Sequence, residues 1–130
     1  MSRYQKSKWK PLNFETIGDK KLSAVIYASM IQSQAWQKLS NNARVLYLYM
    51  KLQYFGVKQE EKPRGQADLF YFNKAMATKT YGLYTNMAQF RKDRDMLVQY
   101  GFIDEIEKGK NTRTKSIYRF SDRWKEYREF

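Results

Sequence analysis

Apolar positions in the first half of the chain recur at helical rather than strand spacing. Between Ser23 and Leu39 they fall at Val25, Ile26, Met30, Ile31, Ala35, Trp36 and Leu39, a pattern that predicts one or two short helices. Ser40 then offers an N-cap oxygen, and the run from Asn41 or Asn42 to Phe55 ends at Gly56, so a longer helix is predicted there. Val45, Leu48, Tyr49 and Leu52 stand at i, i+3, i+4 and i+7 and are expected to face the core. Leu46 and Met50 lie beside that stripe, which makes the helix apolar over most of its circumference, and Arg44, Tyr47 and Lys51 are left to share the wetter side.

The second half changes character. Residues 56–68 hold Pro63, Gly65 and mixed charges, and read as an exposed loop. Leu69-Phe-Tyr-Phe72 has the aromatic content of a short strand. Asn73 is an N-cap for a short helix that Gly82 ends, and Thr85 is the N-cap expected for the next helix, running to Tyr100 with Gly101 closing it. Met87, Phe90, Leu97 and Val98 trace the apolar side of that helix. Arg94 occupies the remaining turn, where either its stem covers apolar surface or its head pairs with a carboxylate such as Asp95 or Asp104. Residues 102–107 and 115–120 alternate as two strands of a hairpin around the basic loop 109–114, and a short helix is expected from Asp122 onward. Trp36, Phe72, Phe90, Phe102 and Trp124 are assigned to the core.

A short helix, a turn, a longer helix and a basic hairpin in this order are the parts of a winged helix-turn-helix. The expected fold class is therefore mainly α with a small β-sheet. The domain organisation predicted is a basic N-terminal arm at 1–22 and a winged-helix domain at 23–130 with a short C-terminal helix. The arm carries Arg3, Lys6, Lys8, Lys10, Lys20 and Lys21 against Glu15 and Asp19, while Trp9, Leu12 and Phe14 suggest that part of it docks onto the domain.

Charge sharpens the functional expectation. The 130 residues include 25 Lys+Arg against 13 Asp+Glu, a net +12 that attracts polyanions. Cysteine and histidine are absent, which removes disulfides, zinc fingers, thiol nucleophiles and His-dependent metal or triad chemistry. Relaxases and rolling-circle nucleases need a His cluster to hold metal beside their tyrosine, and the eleven tyrosines here read instead as core and surface aromatics. No enzyme activity, cofactor or metal is expected. No apolar run approaches the roughly 18–20 residues of a membrane span, and no signal-peptide pattern opens the chain, so a cytoplasmic protein without a membrane partner is expected.

Two segments carry a family likeness: Ala35-Trp-Gln-Lys-Leu-Ser-Asn-Asn-Ala-Arg-Val-Leu-Tyr-Leu48 and Phe90-Arg-Lys-Asp-Arg-Asp-Met-Leu-Val-Gln-Tyr-Gly-Phe-Ile103. Through them the chain resembles the winged-helix proteins of bacterial mobile elements. The likeness is to the N-terminal domain of plasmid-type replication initiators and to small helix-turn-helix proteins of phages and conjugative transposons. The resemblance implies a helix laid in the major groove of double-stranded DNA with the wing beside it, in a regulator or accessory replication factor. It also implies possible replication or transcription proteins as partners. The resemblance does not extend to the long C-terminal region of the initiators.

Base edges are read from the N-terminal turns of a recognition helix, so Thr85, Asn86, Gln89 and Lys92 are the candidate reading residues, with Arg91 beside them for phosphate. Lys110, Asn111, Arg113 and Lys115 are the candidate wing contacts to the backbone or minor groove. Asp93 and Asp95 weaken the potential near Arg91. A second hypothesis is a winged-helix module whose recognition surface meets a protein and whose charge is incidental. In either case a monomer or weak homodimer is expected.

Overall fold

The computed structural model describes residues 25–108 and 116–128. The fold is mainly helical, with one small antiparallel sheet. Helices α1 (Ala28–Ile31) and α2 (Gln34–Lys38) lead into the long α3 (Asn41–Phe55), strand β1 (Leu69–Tyr71) and a π-helical segment, Met76–Thr80. Helix α4 (Met87–Gln99), strands β2 (Ile103–Glu107) and β3 (Ile117–Phe120) and a 3-10 turn, Arg123–Glu126, complete it. The arm expected at 1–22 lies outside the described residues.

Serines start two of the helices as their chemistry dictates. Ser33 Oγ accepts from the Trp36 amide and Ser40 Oγ from the Ala43 amide, both at 3.1 Å, each satisfying a donor the helix cannot. The loop after α3 is tighter than expected: it contains two 3-10 turns, Gln59–Glu61 and Pro63–Gly65, and Pro63 is buried. Lys62 Nζ donates to the Tyr54 carbonyl at 2.6 Å and lies 3.8 Å from the Tyr54 ring centroid, fastening this loop to α3.

The sheet order is β1-β3-β2, with β3 central and antiparallel to both neighbours. Phe70 stands opposite Tyr118 and Ile103 opposite Phe120, so aromatic side chains line the sheet where α3 crosses it. A register shift between Glu105 and Glu107 bends β2. Trp36, Phe72, Phe90, Phe102 and Trp124 are all buried, as expected from the sequence.

Helix α3 presents the opposite side from the one its aliphatic stripe predicts. Ala43, Leu46, Tyr47 and Met50 are buried, whereas Val45, Leu48 and Leu52 are exposed, and Tyr49 is half-buried against Tyr81. Both sets fit the same i, i+3, i+4, i+7 template, so spacing alone does not choose between them. The aromatic cluster does. Tyr47 sits edge-on to Trp36, Phe102 and Phe120 at centroid distances of 5.9, 5.7 and 5.4 Å, an arrangement aromatic pairs favour beyond the area they bury. Lys51 is likewise half-buried rather than free in solvent, its Nζ 4.4 Å from the Phe120 centroid; burial lowers its pKa.

Candidate nucleic-acid interface

The segment leading to α4 is built from the residues the sequence singled out. Asn73 Oδ1 accepts from the Met76 amide at 2.9 Å, and the helix it opens widens into π geometry, with the Tyr81 amide bonding the Met76 carbonyl five residues back. Gly82, at φ 62°, supplies the left-handed residue. The Leu83 and Tyr84 amides then both return to the Ala77 carbonyl, at 2.9 and 3.1 Å, and close the turn.

Tertiary contacts pin this turn. Phe72 stacks between Tyr81 and Phe90 at 5.9 and 6.0 Å, and the Tyr81 hydroxyl donates to Gln53 Oε1 on α3 at 2.9 Å. Tyr84 donates its hydroxyl to Asp93 Oδ2 at 2.7 Å. Asp93 is 1% exposed, and Gln89 Nε2 supplies its other oxygen at 3.0 Å. Burial first, and then the Asp93 carboxylate, push the Tyr84 phenol far above its ordinary pKa, so it remains a donor throughout the physiological range.

The buried face of α4 is Phe90, Asp93, Arg94 and Leu97. Arg94 resolves as an internal ion: it contacts Asp95 Oδ1 at 3.0 Å and Glu105 Oε2 on β2 at 3.6 Å. Asp104, the alternative partner considered from the sequence, belongs instead to Arg123 at 2.6 Å and Arg119 at 3.6 Å. Burial opposes the Arg94 charge, but Tyr118, Asp95 and Glu105 more than offset it, while Arg94 in turn moderates the upward push of burial on Tyr118. Through Arg94, the helix is joined to the base of the hairpin.

The opposite face of α4 is an exposed ridge of Ala88, Arg91, Lys92, Asp95 and Gln99. Arg91 and Lys92 therefore stand where the sequence placed them. Asp95, expected from the sequence to weaken the potential near Arg91, stands on the same ridge, and Ala88 and Gln99 share it without having been singled out; the i, i+3, i+4, i+7 and i+11 spacing of the five was the available signal.

The other candidates divide. Thr85 is exposed but does not cap the helix; Asn86 does, its Oδ1 accepting from the Ala88 amide at 2.7 Å. An extended backbone at Asn86, φ −129° and ψ 116°, puts its carboxamide over the first turn, which is the geometry an N-cap requires. Gln89 turns from the ridge toward Asp93 and is half-buried, so its amide orientation is set from inside the protein. Thr85, Asn86 and Gln89 together line a cavity of about 300 Å³ against Asn42 and Val45 of α3. Lys110, Asn111, Arg113 and Lys115 lie outside the described residues.

Among the described residues no group of acidic side chains is placed to hold a metal ion, and no helix is long and apolar enough to cross a membrane. Arg123 clamps the far end of α4, with its guanidinium donating to the Val98 and Ile103 carbonyls at 3.1 and 3.0 Å as well as to Asp104. Gly101 allows this closure: at φ 88°, it leaves no room for a Cβ, which would stand 2.5 Å from the Trp124 nitrogen. No family model, curated protein or solved structure matches the chain.

Proposed function

We propose that the chain is a winged helix-turn-helix protein that binds double-stranded DNA, with α4 in the major groove and the β2–β3 loop on the backbone. Its role is that of a regulator or accessory replication factor of a mobile element. One observation carries the reading: a cationic ridge, Arg91 and Lys92, lies on a helix whose other sides are all tied to the protein. A helix held in this way keeps its backbone in register with a groove, so binding orders only the exposed side chains. The net charge of +12 supplies the sequence-independent attraction, and the strand order β1-β3-β2 fits a wing attached beside the helix.

Binding of the purified chain to random-sequence duplex across a salt series tests the proposal. Affinity should fall steeply, with a slope of about −0.9 for each phosphate neutralised. Absence of duplex binding at low salt would reject it and favour a protein-interaction module.

A further inference from the structure

Between α3 and the start of α4 lies a cavity of about 300 Å³, at the lower end of the range for small-molecule sites. Val45 and Leu46 on α3, with Leu83 and the Tyr84 ring from the turn, give it an apolar wall, and Leu46 is fully buried. Its polar lining includes Asn86 and Gln89, three residues apart where α4 begins.

The protein fixes which half of each carboxamide is left for a ligand. Asn86 Oδ1 accepts from the Ala88 amide at 2.7 Å, so its Nδ2 donors stay available. Gln89 Nε2 is committed to the Asp93 carboxylate at 3.0 Å, which leaves the Oε1 acceptor. Neither remaining half has a partner among the described residues. Gln89 cannot turn its amide over without setting a carbonyl against a carboxylate that is 1% exposed. One donor and one acceptor of settled polarity therefore share the cavity.

Charge and shape then narrow the ligand. None of the described residues lining the cavity is charged, although the chain carries 25 Lys+Arg, so a phosphate or carboxylate would find no counter-charge there. A wholly apolar ligand would cover both carboxamides without pairing them. A flat, uncharged ring with an acceptor beside an N–H donor satisfies the wall and the pair together. We infer that the cavity is a binding site for a small neutral amino-heterocycle of the nucleobase kind. Its ring lies against Leu46, Leu83 and Tyr84, its ring nitrogen accepts from Asn86 Nδ2, and its amino group donates to Gln89 Oε1. The site stands apart from the proposed duplex contacts of the ridge, since neither Arg91 nor Lys92 lines it.

Methyladenine and methylcytosine, each capped at the glycosidic nitrogen, carry an acceptor nitrogen beside an amino group and serve as probes. In the isotope-labelled full chain, each should saturably shift the side-chain amide signals of Asn86 and Gln89, with a Kd of roughly millimolar order for so small a ligand. Methylpurine, the same ring as methyladenine without the amino group, should bind about ten-fold more weakly or worse. Asn86→Asp keeps an oxygen for the cap but replaces the donor by an acceptor, and should weaken methyladenine by about ten-fold. Val45→Trp, at a site 41% exposed, should block binding with an unchanged circular dichroism spectrum. No saturable shift at the cavity with either base overturns the proposal. Methylpurine binding as tightly as methyladenine overturns it too, and so does unchanged affinity in Asn86→Asp. A three-nucleotide dA strand, titrated at high salt to screen the net charge, distinguishes the source of the base. If it shifts Asn86 and Gln89 at lower concentration than methyladenine does, the site takes a base within a strand and the assignment to a free small molecule fails.

Discussion

The Tyr84 hydroxyl donates to the Asp93 carboxylate across 2.7 Å, tying the turn before α4 to the second turn of that helix. A carboxylate at 1% exposure needs its donors, and here it has two: Tyr84 and Gln89. Tyr84→Phe should lower unfolding free energy by about 1–3 kcal/mol in urea titrations, since it leaves a buried charge short of a partner. A loss within about 0.5 kcal/mol, the scatter of surface substitutions, would show that the tie does not hold the turn.

Alkaline pH should unfold the protein through its phenols. Burial raises the pKa of Tyr47, Tyr81, Tyr84 and Tyr118 above the ordinary value of 10.0. A group whose folded pKa is raised stabilises fully below the unfolded value and loses that contribution as pH climbs toward the folded one. Stability should thus be flat in these groups below about pH 9 and fall from about pH 10 upward. Lys51 and Lys62, lowered by burial, act in the opposite sense in the interval below 10.5. Urea midpoints between pH 8 and 11, followed with tyrosinate absorbance, check this, and Tyr47→Phe should flatten the decline.

The inversion of α3 makes a paired prediction. Leu46→Ala, at a site with no exposure, should cost about 2–5 kcal/mol, while Leu48→Ala should cost less than about 1 kcal/mol. Chemical denaturation of the two variants side by side decides which stripe is the core.

Reading and positioning on α4 should separate in DNA binding. Arg91→Ala and Lys92→Ala should weaken every duplex and reduce the salt slope by about one unit per lost phosphate contact. Asn86→Ser keeps a capping oxygen but loses the carboxamide donors, so sequence preference should relax by about 1–3 kcal/mol per lost base contact with the salt slope kept. Competition assays with selected and random duplexes distinguish these outcomes. An unchanged slope for both basic variants would remove the ridge from the interface.

The order of elements was legible from the sequence because each boundary has a local chemical cause: Ser40, Asn73, Gly82 and Gly101 act within a few residues of themselves. Which side of α3 is buried was not legible, since two equivalent apolar stripes compete and only the distant rings of Trp36, Phe102 and Phe120 choose between them. The cap of α4 was misplaced by one residue, from Asn86 to Thr85, because adjacent polar residues carry the same signal. That Gln89 turns toward Asp93 was likewise not legible. Its tie to Asp93 is an i, i+4 contact that is visible in the sequence, but that Asp93 points inward depends on Tyr84 and the turn.

The central strand of the sheet is also its last in the sequence. β1 and β2 touch only through β3, so a chain ending before Ile117 would have two strands with nothing to pair with and no sheet at all. On a ribosome the sheet and the helix packed on it therefore cannot lock until Phe120 has emerged. Folding of this domain should be an all-or-none event rather than a progressive one.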